Sequence, residues 1–185
     1  LETRIMLCNR LALIILCLSV MCVNSHRTEI NGPIYINLRL YYDHSLLAKF
    51  NNRRQAVHDY LLEIVHSIYL MYNNKPLSYV ARWHFVVQSI ELLDSEQVRI
   101  GSDQDGNKYR NLLGQHLQPQ LLQVVFTNLV LFTGHNFLYR SDLTYVLGLA
   151  EPGSGCNRIA STQAIIVEAR SYRCASILAH ELGHA

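Results

Sequence analysis

The sequence predicts an α/β fold in which long helices pack against a mostly parallel, twisted sheet and one further helix ends the chain. Segments with the apolar spacing of helices alternate with segments rich in strand-forming residues, and the connections are long enough for the crossovers that parallel strands need. A single domain is expected, because 185 residues, 50% of them hydrophobic, are sufficient for one core.

The first elements are a strand and a long amphipathic helix. Residues 34–42 alternate in part between apolar and polar side chains and are rich in strand formers, which predicts a strand that ends at residues 43–45. Over residues 53–72 the apolar side chains recur mostly at three- and four-residue steps, and Asn-Asn-Lys-Pro at 73–76 supplies a stop signal. This second pattern predicts a helix.

A strand, a helix and another strand follow. The aromatic and β-branched residues at 80–92 are typical of a strand, and the polar stretch 102–108 predicts a loop. A helix is predicted at about 109–123. The continuous apolar run at 124–132 then indicates a strand that is covered on both faces, as in a parallel sheet.

The last predicted elements are shorter. Strands are predicted at 145–150 and 163–168, around a turn at 151–155 that contains proline and two glycines. A final helix is predicted from about residue 172 onward.

The N-terminal segment has the order of a secretory signal peptide. Residues 11–23 are continuously apolar, Arg10 precedes them, and a polar stretch with the small residue Ser25 follows. This run is too short to cross a bilayer as a helix, which takes roughly 20 residues. We therefore expect a signal peptide at residues 1–25, with Met6 as a possible start, no stable membrane span, and a secreted, extracellular protein.

The charge and the cysteine content indicate which classes of partner and which cellular compartment to expect. The 16 basic and 14 acidic residues give a net charge of +2 without long runs of one sign, so no nucleic-acid partner is expected. Three of the five cysteines lie within the expected signal peptide. Cys156 and Cys174 would remain, and in an oxidising compartment they could pair with each other or with cysteines further along the chain.

The last predicted helix contains the sequence His180-Glu181-Leu182-Gly183-His184. Residues i and i+4 share a helix face, so His180 and His184 can reach one metal ion together, and imidazole pairs of this kind bind Zn²⁺. Glu181 is placed to take a proton from a metal-activated water and to deliver it to a leaving amine. The alternative, a surface helix with two unrelated histidines, is disfavoured because the rest of the helix is apolar.

With Ala179 before it, this motif resembles the A-H-E-L-G-H form of the reprolysins, the ADAM, ADAMTS and snake-venom metalloproteases. It is also similar to the first half of the metzincin signature H-E-x-x-H-x-x-G-x-x-H. Further stretches are similar to the family in the same order: a first strand ending in Asp-His-Ser at 43–45, Leu-Phe-Thr-Gly at 131–134, Gly-Leu-Ala at 148–150 before a Gly-rich turn and Cys156, and the strand at 165–168. The resemblance runs from about residue 34 to the end.

The resemblance implies a metzincin-like N-terminal subdomain and a metalloprotease catalytic domain that begins at residue 26 and is incomplete at residue 185. It implies a secreted zinc metalloendopeptidase that hydrolyses protein or peptide substrates, with Zn²⁺ as cofactor, His180 and His184 as metal ligands and Glu181 as the catalytic residue. The third ligand would lie six residues after His184, so this stretch of chain alone is expected to be inactive. Residues 147–150 would form the edge strand along which an extended substrate lies.

Two positions depart from the family pattern. The family's calcium site would draw on acidic residues that fall at Asn37 and near Thr127 here, so that site is expected to be lost or altered. A second interpretation is therefore kept, a catalytically inactive, metalloprotease-like binding protein that retains the fold. A histidine six residues after His184 would favour the enzyme, and another residue there would favour the binding protein. A peptidase with a downstream glutamate as third ligand is disfavoured by the upstream matches.

Overall fold

The computed structural model describes residues 32–74, 81–94, 105–121, 127–139, 144–151, 164–169 and 173–184, with the backbone alone described at 116–121, 139 and 144. The expected signal peptide at 1–25, Cys156 and most of the predicted turn at 151–155 lie outside these residues. Within the described part of the chain, no helix is both long and apolar enough to cross a membrane.

The described strands form two sheets. In chain order they are β1 (Ile34–Tyr42), β2 (Trp83–Leu92), β3 (Thr127–Thr133), β4 (Phe137–Tyr139), β5 (Thr144–Val146), β6 (Gly148–Leu149) and β7 (Ala164–Glu168). The main sheet has the order β2-β1-β3-β7-β6, in which β6 is antiparallel to β7 and every other neighbouring pair is parallel. Strands β4 and β5 pair with each other in a small antiparallel sheet. The prediction of a mostly parallel α/β fold is confirmed.

Helices cover both faces of the main sheet. The described helices are α1 (His44–Lys49), α2 (Arg54–Asn73), α3 (Gly106–Leu121) and α4 (Cys174–His184). Helices α2 and α4 contact each other, whereas α3 contacts β3, β6 and β7. Alternate residues of each strand supply the two sides, so that Leu40 and Phe132 join the core under α2 and α4, while Tyr41 and Leu131 join the core under α3.

Helix α1 was not predicted, because Asp43-His44-Ser45 was interpreted only as the end of a strand. Asp43 is in fact the N-cap of α1, and its carboxylate accepts hydrogen bonds from the Leu46 N–H at 2.8 Å and from the Thr133 hydroxyl at 2.6 Å. One side chain thus starts α1 and joins the ends of the neighbouring strands β1 and β3.

Two further predictions need correction. The polar stretch 102–108 was predicted to be a loop, but α3 begins at Gly106, because the Asp105 carboxylate accepts from the N–H groups of Asn107 at 3.0 Å and Lys108 at 3.3 Å. The predicted single strand at 145–150 is two strands in different sheets. Strand β5 ends at Val146 and pairs with β4, and β6 pairs with β7 after an interruption at Leu147.

Candidate metal and catalytic site

Helix α4 is fixed against the fold by its first turns and by the end of α2. Cys174 and Leu178 are buried in the core between α4 and the sheet. The Tyr72 hydroxyl of α2 donates a hydrogen bond to the Ala179 carbonyl oxygen at 3.0 Å, and the Tyr72 ring stands edge-on against Trp83. These contacts set the rotation of α4 and thereby decide where its last turn directs its side chains.

His180 and His184 of that last turn converge. Their Nε2 atoms lie 3.0 Å apart, and their rings are nearly perpendicular at 87° with centroids 4.5 Å apart. Two imidazole nitrogens held at about 2.0–2.1 Å from one tetrahedral zinc ion would lie roughly 3.3 Å from each other. The observed separation is close to this value, so the pair fits two ligand positions of a zinc site.

Both imidazoles favour the neutral form that a metal ligand requires. Burial lowers the pKa of His180, and burial together with the neighbouring His180 lowers the pKa of His184. A neutral ring keeps the nitrogen lone pair that binds a metal, whereas a protonated ring offers none. Among the described residues, no group of three or more His, Cys, Asp or Glu side chains could hold a metal ion.

Glu181 lies between the two histidines in sequence but is turned into the protein, with 7% of its surface exposed. Burial raises its pKa to about 7, while a backbone hydrogen bond from Ala150 and the positive charge of Arg110 act in the opposite direction. A carboxyl group with a pKa close to neutrality can both accept and release a proton under physiological conditions. Glu181 therefore has the properties of a general acid and base.

Strand β6 passes in direct contact with Glu181. A Cβ atom placed on Gly148 would lie only 2.6 Å from the Glu181 Oε1 atom and 2.7 Å from the Ile177 Cγ2 atom. A residue without a side chain is needed for this close approach. Gly148 therefore lets the β6 backbone, and the Ala150 N–H that follows it, reach the carboxylate.

Among the described strands, β6 is an edge strand of the main sheet. In the part of the chain that the structure describes, β6 pairs with β7 alone. The Leu147 carbonyl oxygen accepts from the Glu168 N–H at 2.8 Å, so the alternation of an antiparallel ladder turns the peptide groups of Gly148 toward the unpaired side. The neighbouring Tyr145 and Leu147 are 68% and 46% exposed. An unpaired backbone flanked by exposed apolar side chains thus lies beside the His-Glu-His cluster.

Helix α3 contributes a buried cation where β6 ends. Arg110 is 8% exposed, and its Nη1 atom forms an ion pair with the Glu151 Oε2 atom at 2.5 Å. The Nη2 atom donates to the Asn111 side-chain oxygen at 3.4 Å. The buried Nε–H has no hydrogen-bond partner in the described part of the molecule. The Arg110 charge acts on both Glu151 and Glu181.

The two positions at which the family resemblance predicts acidic calcium ligands are direct neighbours. Asn37 of β1 pairs in register with Thr127 of β3. Near them the Gln88 amide oxygen accepts from the Arg39 Nε–H at 3.3 Å and from the Thr127 hydroxyl at 3.5 Å. The described side chains around this pair include the positively charged Arg39 and no carboxylate. Ca²⁺ sites are built largely from carboxylate and carbonyl oxygens. These residues do not fit a calcium ion.

Sequence reasoning placed His180, Glu181 and His184 together but did not single out Arg110 or Glu151, and it mentioned Gly148 only through the family resemblance. Two signals were available. A glycine inside a strand often marks a close backbone approach, and Arg110 is a charged residue beside Tyr109 and three residues before Leu113, both of which are buried apolar positions of α3. A charge on an apolar helix face indicates a buried partner.

Comparison with known proteins indicates a family and a fold. The sequence model of Reprolysin_5, described as Metallo-peptidase family M12, matches residues 35–185. A search of curated proteins gave no match. A solved structure described as "Structure of a chaperone-substrate complex" is similar in fold, with a TM-score of 0.59 and 13% sequence identity. That match covers 83% of this chain and 26% of the other, so this chain spans about a quarter of the structure it resembles.

Proposed function

The chain belongs to metallopeptidase family M12, and from this premise we propose that it is the catalytic part of a secreted zinc metalloendopeptidase that cleaves extended segments of protein substrates. The observation that supports the proposal most directly is the convergence of the His180 and His184 Nε2 atoms beside a buried glutamate whose pKa is close to neutrality.

His180 and His184 would hold the zinc ion, with a third ligand supplied from outside the described residues. When bound, zinc polarises the scissile carbonyl and makes a water molecule more acidic, so no covalent nucleophile is needed. The two histidines contribute through their neutral state and through the rigidity of α4, which the Tyr72 hydrogen bond and the buried Leu178 maintain.

Glu181 would move the protons of the reaction. Its carboxylate takes a proton from the attacking water and later delivers it to the nitrogen of the leaving amine. Burial acts to raise the pKa of this carboxyl toward neutrality, and a group that must accept and then release a proton works best near the ambient pH. The close approach of Gly148 would keep the carboxylate beside β6 while this transfer takes place.

The substrate would bind as an added strand on β6. The unpaired backbone of Gly148 can form main-chain hydrogen bonds with an extended peptide, which sets the register without reading side chains. The exposed Tyr145 and Leu147 would contact the substrate side chains that point toward them. The substrate class is therefore unstructured or loop segments of proteins.

Secretion and catalytic competence are further parts of the proposal. The apolar run at residues 11–23 supports export. The family resemblance implies acidic residues at Asn37 and near Thr127. Their absence favours the second candidate, a binding protein without turnover, only if those positions support catalysis. The burial of Glu181 and its close contact with Gly148 favour the enzyme.

The test uses the full-length protein with an unstructured protein substrate. Glu181→Ala should keep the metal and lose about 10²- to 10⁴-fold in kcat, because it removes a proton-transfer group and no ligand. His184→Ala should lose the metal as well as the activity. The exposed α2 residues Glu63 and His66 are matched controls, and changing either of them to alanine should alter neither metal content nor activity.

Metal content by atomic emission and cleavage rate are measured on the same samples. Near-full activity of Glu181→Ala would refute the mechanism, and a metal-loaded wild-type protein without activity would favour the binding protein.

A further inference from the structure

We propose that Arg110 is a positioning residue that fixes the end of strand β6 against Glu181 through its ion pair with Glu151. This inference rests on the proposed function, because it assumes that β6 receives the substrate and that Glu181 transfers protons. It assigns a role to the buried cation of α3, which the proposed mechanism does not otherwise use.

The Arg110–Glu151 ion pair lies close along the chain to the contact between β6 and the catalytic carboxylate. Glu151 is held by the Arg110 Nη1 atom at 2.5 Å. Glu151 lies three residues after Gly148, whose backbone passes against the Glu181 side chain so closely that an added Cβ atom would lie 2.6 Å from the Glu181 Oε1 atom. The anchored side chain is therefore close along the chain to the point where β6 contacts the carboxylate.

Few other contacts hold the C-terminal end of β6. The strand consists of two residues, Gly148 and Leu149, and its pairing with β7 ends there. Gly148 has no side chain to pack, and Leu149 is buried against the α3 core. The described contacts that follow Leu149 are the packing of the partly buried Ala150 against the core under α2 and α4 and the Arg110–Glu151 ion pair.

Stability alone gives a poor reason for a buried arginine at this position. Burying a guanidinium costs free energy that one ion pair with a half-exposed partner only partly offsets. The Arg110 Nε–H also lacks a hydrogen-bond partner in the described region. An apolar residue would suit the Tyr109 and Leu113 face of α3 better, so the retained charge indicates a geometric requirement at the end of β6.

The experiment uses the full-length protein and two variants that break the ion pair without a large change in volume, Arg110→Met and Glu151→Gln. Arg110→Lys is the conservative variant, because lysine keeps the charge within reach of Glu151. Arg54→Met is the matched control, since Arg54 is an exposed arginine of α2. Amide hydrogen exchange at residues 149–151 is compared with exchange in β3, and kcat and KM are measured with an unstructured protein substrate.

Arg110→Met and Glu151→Gln should each accelerate exchange of the Ala150 amide by about tenfold or more while β3 exchange stays constant. Each should lower kcat by roughly 10- to 100-fold, because misplacement by about 1 Å has effects of that size. The double variant should be no worse than either single one, and Arg110→Lys should restore part of kcat. Glu151→Gln keeps the shape of the half-exposed side chain and removes only its charge. If this variant changed neither the exchange of the Ala150 amide nor kcat, the proposal would be overturned. If the wild-type protein had no activity, the proposed function would fail, and the exchange measurement would still decide whether Arg110 positions β6.

Discussion

Replacing Gly148 with alanine tests whether the close contact between β6 and Glu181 matters for function. The added Cβ atom would lie 2.6 Å from the Glu181 Oε1 atom, 2.7 Å from its Cγ atom and 2.7 Å from the Ile177 Cγ2 atom. Non-bonded carbon atoms are most stable at about 3.5–4.0 Å, so β6 or the Glu181 side chain must move by roughly 1 Å. The backbone of Gly148 is not left-handed, and the effect is therefore steric.

The size of the effect follows from that displacement. Overpacking of this kind costs about 1–3 kcal/mol, which lowers Tm by roughly 2–12 °C in a domain of this length. A shift of about 1 Å at a catalytic group can reduce the rate about 100-fold. We expect Gly148→Ala in the full-length protein to lose roughly 30- to 100-fold in kcat/KM and to remain folded, since the contact lies at the sheet edge.

The assay compares cleavage of an unstructured protein and the thermal midpoint for wild type, Gly148→Ala and a glycine control. Gly32→Ala is that control, because a Cβ atom there meets nothing within 4 Å. It should match the wild type in both measurements. A folded Gly148→Ala protein whose kcat/KM stayed within about threefold of the wild type would show that β6 does not need this approach to Glu181.

Three further predictions concern other parts of the chain. Because the family resemblance places acidic calcium ligands at Asn37 and near Thr127, where this chain has none, added calcium should leave Tm nearly unchanged, and a rise of several degrees would show that calcium binds the native state. Expression from Met6 in a eukaryotic host should release protein whose N-terminus lies near His26, and Edman sequencing of intracellular product with an intact N-terminus would count against export. Burial raises the pKa of Cys174 to about 12, so only about one thiol in 10⁴ is ionised at pH 8, and alkylation mapped by mass spectrometry should be slow until the protein unfolds.

The sequence patterns predicted elements well where a single element carries its own signal. Strand β1 has the predicted bounds Ile34–Tyr42, and α2 lies within one residue of the predicted helix. The described part of the apolar run predicted at 124–132 is covered on both faces, since Leu129 to Phe132 are all buried, and residues 124–126 lie outside the described residues. Each of these signals is a periodicity or a composition that a short window contains.

The errors share a different cause. Asp43 and Asp105 were interpreted as ending or interrupting structure, whereas each caps a helix. A capping aspartate and a loop aspartate look alike in sequence, and the decision depends on whether the following turn can bury side chains. The break at Leu147 depends in turn on two partners, β4 and β7, that compete for one apolar segment. Pairing with distant segments of this kind produces no pattern in the sequence around Leu147.

The candidate site divides along the same line. The His180–His184 pair is a local property, because any helix brings residues four apart onto one face. The chemistry expected of Glu181 is not local, since its surroundings come from Gly148 of β6 and from Ala150 after it, and Arg110 of α3 acts on its pKa. The same five-residue motif on an isolated surface helix would keep its metal ligands and lose the environment that brings its carboxyl pKa close to neutrality. A search for catalytic competence in chains with this motif should therefore ask for a glycine on the adjacent edge strand as well as for the histidines.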